Sequence, residues 1–102
     1  LTGAKLEFPK DATRKLEREI DKWEGSLPVL KNFIIYSGTK KATQIFYARA
    51  LCRRVERALV ALKIPDSRFQ ILAYINRLSD YLFMLARYTN FKARVKEIVW
   101  KP

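Results

Sequence analysis

Between residues 45 and 62, Ile45, Ala48, Cys52, Val55, Leu59 and Leu62 recur in steps of three and four. That spacing lines one side of an α-helix and makes a heptad-like seam of almost three repeats. A second seam, Ile71, Ile75, Leu78, Leu82 and Leu85, follows the break Lys63-Ile64-Pro65-Asp66. Proline ends the first helix, and Asp66 or Ser67 can cap the next. Two long helices with so short a connection predict an all-α, antiparallel, bundle-like architecture, with residues 1–102 in a single domain.

The remaining segments read as smaller parts of the same bundle. Pro9-Lys10-Asp11 marks a helix entry with Asp11 as N-cap. Leu16, Ile20 and Trp23 then form a narrow apolar stripe, and Gly25-Ser26-Leu27-Pro28 ends the helix. Residues 29–38, VLKNFIIYSG, read as a packed connector, because a lone strand would have no partner. The long second helix is predicted over residues 39–62. Thr89-Asn90 marks a stop, followed by a basic, partly apolar tail. No internal repeat, low-complexity segment or strand pair is apparent.

Charge interrupts both long apolar faces, in ARALCRRVER (residues 48–57) and YINRLSDYLFMLAR (residues 74–87). Arg49, Arg53 and Glu56 stand at i, i+4 and i+7, in one sector flanking the seam, while Arg54 and Arg57 turn further out. Arginine offers a planar fork of donors that grips phosphate oxygens, so the row suits an anionic ligand. Glu56 can brace Arg49 or Arg53 in one orientation. Asn76 and Asp80 share a face of the third helix, with Arg87 further along it. As a purely structural alternative, the row solubilises an exposed helix and the Asn76/Asp80 pair fixes bundle register. Tyr74, Tyr81 and Tyr88, seven apart, suit a packing face, and Cys52 a small buried hydrophobe.

Composition narrows the chemistry. Lys and Arg number 21 against 10 Asp and Glu, a net charge of +11, which could serve nucleic acid, a membrane surface or a small polyanion. There is no histidine, which removes histidine bases and ligands, and the single cysteine precludes an internal disulfide and agrees with a reducing, cytoplasmic interior. No P-loop, zinc spacing or activated serine is present. No apolar run approaches the length of a membrane span, and no signal peptide is recognised.

The ordered stretches LPVLKNFIIYSG, ARALCRRVERALVAL and YINRLSDYLFMLARYTN resemble the trimeric propanediol-utilisation type of ATP:cob(I)alamin adenosyltransferase, from about residue 16 to residue 100. The resemblance implies a ferritin-like five-helix bundle, a homotrimer and active sites between neighbouring subunits. It implies transfer of the 5′-deoxyadenosyl group of ATP to cob(I)alamin with release of triphosphate. ATP, Mg2+ and cobalamin (as substrate) would be the small molecules, and a reductase or acceptor mutase the possible protein partners. Neither nucleic acid nor a membrane would be a partner.

By the same resemblance Arg49 and Arg53 match the catalytic, ATP-positioning arginines, Glu56 the motif's acid and Asn76 an ATP-contacting asparagine. Phe33 matches the aromatic beside the corrin. Arg54, Arg77 and Asp80 match structural or intersubunit positions, and no residue matches a metal ligand. The chain departs from the family pattern at Tyr36-Ser37-Gly38, where Pro-Gly-Gly is usual, and at Ile45-Phe46, where Leu-His is usual. The family's Gly-rich, ATP-wrapping N-terminal segment has no counterpart, so the first part of the parent bundle is expected to be missing. The competing expectations are a basic helical nucleic-acid-binding module and a catalytically inactive structural relative.

Overall fold

The structure, a computed structural model, describes residues 11–28, 30, 33–62 and 68–99. It contains helices α1 (Ala12–Glu24), α2 (Lys40–Ala61) and α3 (Arg68–Lys92), with strands β1 (Ile34–Ile35) and β2 (Ile98–Val99). Contacts from Thr39 to Asn90 and from Glu56 to Asn76 show α2 and α3 running antiparallel. Glu17 meets Arg77 and Trp23 meets Tyr88, so α1 runs parallel to α3. The predicted helical bundle is therefore the observed one, with α3 between its two neighbours. The capping residues expected at Asp66 or Ser67 lie outside the described residues.

Helix α1 starts where expected, but Asp11 is itself helical (φ −94°, ψ −6°) and makes no side-chain cap. Only its carbonyl takes part, accepting from Lys15 N–H at 3.0 Å. Two of the three stripe residues are buried, and Leu16 is half-covered. Ile20 and Trp23 are buried with Leu27 and Met84 in the main apolar cluster. Tyr81 and Tyr88 lie 5.0 and 5.7 Å from the Trp23 ring, so two tyrosines of the seven-residue series pack against α1.

Helix α2 opens at an extended Thr39 whose hydroxyl accepts from Ala42 N–H at 3.0 Å. Its predicted seam is rolled. Ala42 and Phe46 are the fully buried positions, whereas Val55 and Leu62 are 50% and 65% exposed. Ile45, Arg49, Cys52, Glu56 and Leu59 occupy the half-buried line toward α3. An apolar-only reading misplaced the stripe, because the aliphatic stems of Arg49 and Glu56 fill inward positions and leave only their polar ends to be satisfied. A fixed 3.5-residue repeat also drifts by about 20° per heptad on a straight helix.

Helix α3 offers more than one face. Ser79, Met84, Ala86, Arg87 and Asn90 are buried, while the predicted seam of Ile71, Ile75, Leu78, Leu82 and Leu85 is only half-buried. The helix also continues past the expected stop to Lys92. Val95 N–H then bonds to the Asn90 carbonyl and Arg94 N–H to that of Phe91, with Arg94 left-handed at φ 60°. This is a Schellman ending, which favours glycine at the left-handed position. Arg94→Gly should therefore raise stability by about 0.5–1 kcal/mol in chemical denaturation, the removed strain being partly offset by a more flexible unfolded chain.

The expectation that no strands pair is overturned. The reversal after α3 sends the tail back to the connector, where Ile34 pairs antiparallel with Val99 and Ile35 with Ile98. The partner comes from the far end of the chain, so neither strand's local pattern could reveal it.

Candidate active site

The first turns of α2 and the middle of α3 build an aromatic wall. Tyr36 stacks on Phe46 with centroids 4.6 Å apart and planes 2° from parallel, and Phe83 meets both edge-on. Tyr36 and Phe46, each within a stretch that the sequence reading marked as unusual, thus touch each other. The Arg49 guanidinium lies 4.8 Å over the Phe83 ring and 5.7 Å from that of Tyr36, and it donates to the Tyr36 hydroxyl. A cation held over ring faces keeps its charge while its in-plane donors stay directed. Arg49 Nε is buried and has no hydrogen-bond partner among the described residues.

One turn on, Arg53 is exposed and shares with Arg49 a cleft of about 420 Å³, completed by Leu30, Phe33, Ile34, Tyr36 and Phe83. Guanidinium groups set against an apolar aromatic wall can take a ligand with an anionic part and a broad apolar part. The structure thus brings Arg49, Arg53 and Phe33 together. Arg54, on the outer side of the same helix, is exposed and does not line this cleft.

Glu56 and Asn76 form a second group. Asn76 Nδ2 donates to Glu56 Oε2 at 3.2 Å across the α2–α3 contact, and among the described residues no arginine forms a salt bridge to that carboxylate. Asp80 accepts from Arg77 Nη1 at 2.8 Å, and Arg77 Nε lies 3.7 Å from Glu17 Oε1, tying α3 to α1. Cys52 donates its thiol to the Ile75 carbonyl, and burial, with a contribution from Glu56, pushes its pKa up. A thiol so held is a poor nucleophile at neutral pH.

Sequence reasoning noted Arg87 and Asn90 but missed that they hold this site in place. Asn90, buried at the end of α3, accepts from Thr39 N–H at 3.0 Å and donates to the Ser37 carbonyl at 2.8 Å. Arg87, 5% exposed, makes a two-pronged bond to Glu97 with both distances 3.0 Å, and donates to the Pro28 carbonyl at 2.9 Å. The only signal available was a polar residue set into an apolar run.

The fold and the cleft define a helical-bundle protein whose α2 arginines face an aromatic wall. Residues 2–89 match the family model for cobalamin adenosyltransferase. The corrinoid adenosyltransferase MMAB of Mus musculus is 41% identical over 95 residues, covering 92% of this chain and 40% of that protein. The corrinoid adenosyltransferase of Bacillus subtilis is 39% identical over 87 residues, covering 84% of this chain and 45% of that protein. A PduO-type ATP:corrinoid adenosyltransferase from Lactobacillus reuteri, solved as a Phe-to-Ala variant complexed with cobalamin and ATP, superposes with a TM-score of 0.87. It is 32% identical, over 96% of this chain and 55% of that one. An Arg-to-Lys variant of the Lactobacillus reuteri PduO-type enzyme, complexed with ATP, gives a TM-score of 0.86 at 32% identity, over 98% of this chain and 58% of that one. The chain belongs to the cobalamin adenosyltransferase family. It spans less than half the length of these two curated relatives.

Proposed function

We propose that the protein carrying this chain transfers the 5′-deoxyadenosyl group of ATP to cob(I)alamin, giving adenosylcobalamin and triphosphate. The supporting observation is the cleft that puts Arg49 and Arg53 against Phe33, in a chain similar to enzymes solved with ATP and with cobalamin. The residues altered in those two variants stand 20 positions apart in the relative's numbering, as do Phe33 and Arg53 here.

In the reaction the cobalt electron pair forms a bond to C5′ while the C5′–O bond breaks, and that pair leaves on the triphosphate. The nucleophile is strong, so the protein's task is alignment and relief of charge on the leaving group. Arg53 directs its fork at the triphosphate. Arg49, fixed by Phe83 and Tyr36, supplies a second positive charge and keeps its buried Nε for an acceptor from a neighbouring subunit. Phe33 covers the corrin side and excludes water and a lower axial ligand. The Glu56–Asn76 pair holds Asn76 toward the nucleotide. Arg54, Arg77 and Asp80 serve packing within and between subunits. Among the described residues no cluster of three or more acidic or thiol groups is placed to hold a metal, so Mg2+ would travel with the triphosphate. Cob(I)alamin needs an electron source, so a reducing compartment such as the cytoplasm suits the reaction, with a reductase or an acceptor mutase as the partner protein. No helix among the described residues is long and apolar enough to cross a membrane.

Residues 1–102 form a single domain, part of a larger bundle that works as a homotrimer. Tyr47, Leu51, Val55 and Leu62 leave an exposed apolar stripe on α2, and the α3 seam is half-covered. Such faces call for further helices or a second subunit. Sedimentation equilibrium on the intact protein at micromolar concentration should give the trimer mass, and a clean monomer would contradict this. For the reaction, ATP added to the intact protein with cob(I)alamin under strong reduction should convert the cobalt spectrum to that of the alkylated corrinoid. An unchanged spectrum would overturn the proposal.

A further inference from the structure

The connector over residues 28–39 carries Phe33, whose side chain is 83% exposed and has no ring contact among the described residues. Its position is therefore set by its backbone and not by packing of its ring. Among the described residues the connector is held at three places, two from the last turns of α3 and one from the tail that follows it. Before Phe33, Arg87 Nη2 donates to the Pro28 carbonyl at 2.9 Å. After it, Asn90 brackets Ser37 and Thr39. Between these, β1 follows Phe33 directly and pairs with β2, which follows Glu97, the residue gripped by Arg87. Arg87 Nη2 has two hydrogens and spends one on Pro28 and one on Glu97, so a single guanidinium fixes the chain on both sides of Phe33.

A buried ion pair is a poor way to gain stability, since an apolar side chain of similar volume fills such a space as well. What the guanidinium adds is direction, because its planar fork accepts a carboxylate in one geometry. We propose that Arg87, acting through Glu97 and Pro28, is a positioning residue that sets where Phe33 stands over the Arg49–Arg53 cleft, and so tunes corrinoid binding and not ATP binding. This rests on the reading of Phe33 as the corrin-side aromatic.

Glu97→Gln in the intact protein keeps the side-chain shape but turns one prong into a donor facing a donor. The KM for cob(I)alamin should rise roughly tenfold, while the KM for ATP moves less than about twofold. Arg87→Lys, which keeps charge without the fork, should shift the same constant in the same direction and serves if the first variant does not fold. A fluorinated phenylalanine at position 33 should give a displaced or broadened fluorine resonance in either variant, at unchanged helical circular dichroism. Equal changes in both KM values, or no change in either, would overturn the proposal. If the unaltered protein shows no turnover, the proposed reaction is wrong, and the fluorine resonance alone decides the positioning role: an unmoved line rejects it.

Discussion

Arg53→Lys should lower turnover of the intact protein by more than roughly tenfold, about 1.4 kcal/mol of barrier, with fold and assembly retained. Arg53 is exposed at the mouth of the cleft it shares with Arg49, one helical turn away, and no ion pair among the described residues competes for its fork. Lysine preserves the charge but not the bidentate geometry that would align a triphosphate behind C5′. A role in general phosphate neutralisation, as in nucleic-acid binding, predicts a nearly silent substitution, because lysine still displaces counterions. Steady-state kinetics alongside salt-dependent DNA or RNA binding separates the two. Unchanged turnover with tight, salt-sensitive binding to nucleic acid would favour the nucleic-acid module.

Gly38→Ala should cost about 3 kcal/mol or more in chemical denaturation. Gly38 has φ +114°, a conformation side chains rarely adopt, and an added Cβ would overlap the Asn90 side-chain amide. Asn90 is buried and cannot step aside without giving up its bonds to Thr39 N–H and the Ser37 carbonyl. Leaving such groups unsatisfied costs about 1–3 kcal/mol each. Gly25→Ala is the matched control. Its Cβ would meet only the Lys22 and Asp21 carbonyls at 3.7 and 3.9 Å, and its φ is −68°. That substitution should change stability by less than about 1 kcal/mol.

The contrast between these two glycines shows what a sequence displays and what it withholds. Helical spacing was enough to place Arg49 and Arg53 one turn apart on α2, and to mark Ile20 and Trp23 as the apolar side of α1. Both are local regularities. The rotation of α2 was not legible, because Arg49 and Glu56 occupy inward positions that a hydrophobic pattern assigns to apolar residues. The pairing of Glu56 with Asn76 required the antiparallel register of two helices, which no single helix reveals. The β1–β2 ladder and the Arg87–Glu97 pair were least accessible, since both depend on the tail returning after the left-handed Arg94. Gly38 reads in the sequence only as a turn residue. Its particular demand arises from an asparagine one helix away.

The same geometry joins the two positions that the sequence reading singled out as unusual. A tyrosine and a phenylalanine at the two divergent positions form a parallel stack, and the tyrosine hydroxyl accepts from Arg49. Offset aromatic contacts of this kind contribute about 0.5–1.5 kcal/mol beyond the area they bury.

The central claim is that this cleft serves alkyl transfer to cobalt with triphosphate as the leaving group. ATP labelled with carbon-13 at C5′, supplied to the intact protein with cob(I)alamin under reducing conditions, tests it most directly. The label is expected in the corrinoid product, bonded to cobalt, with one unlabelled triphosphate released for each product formed. Label remaining wholly in adenine nucleotides, or release of ADP and phosphate in place of triphosphate, would contradict it.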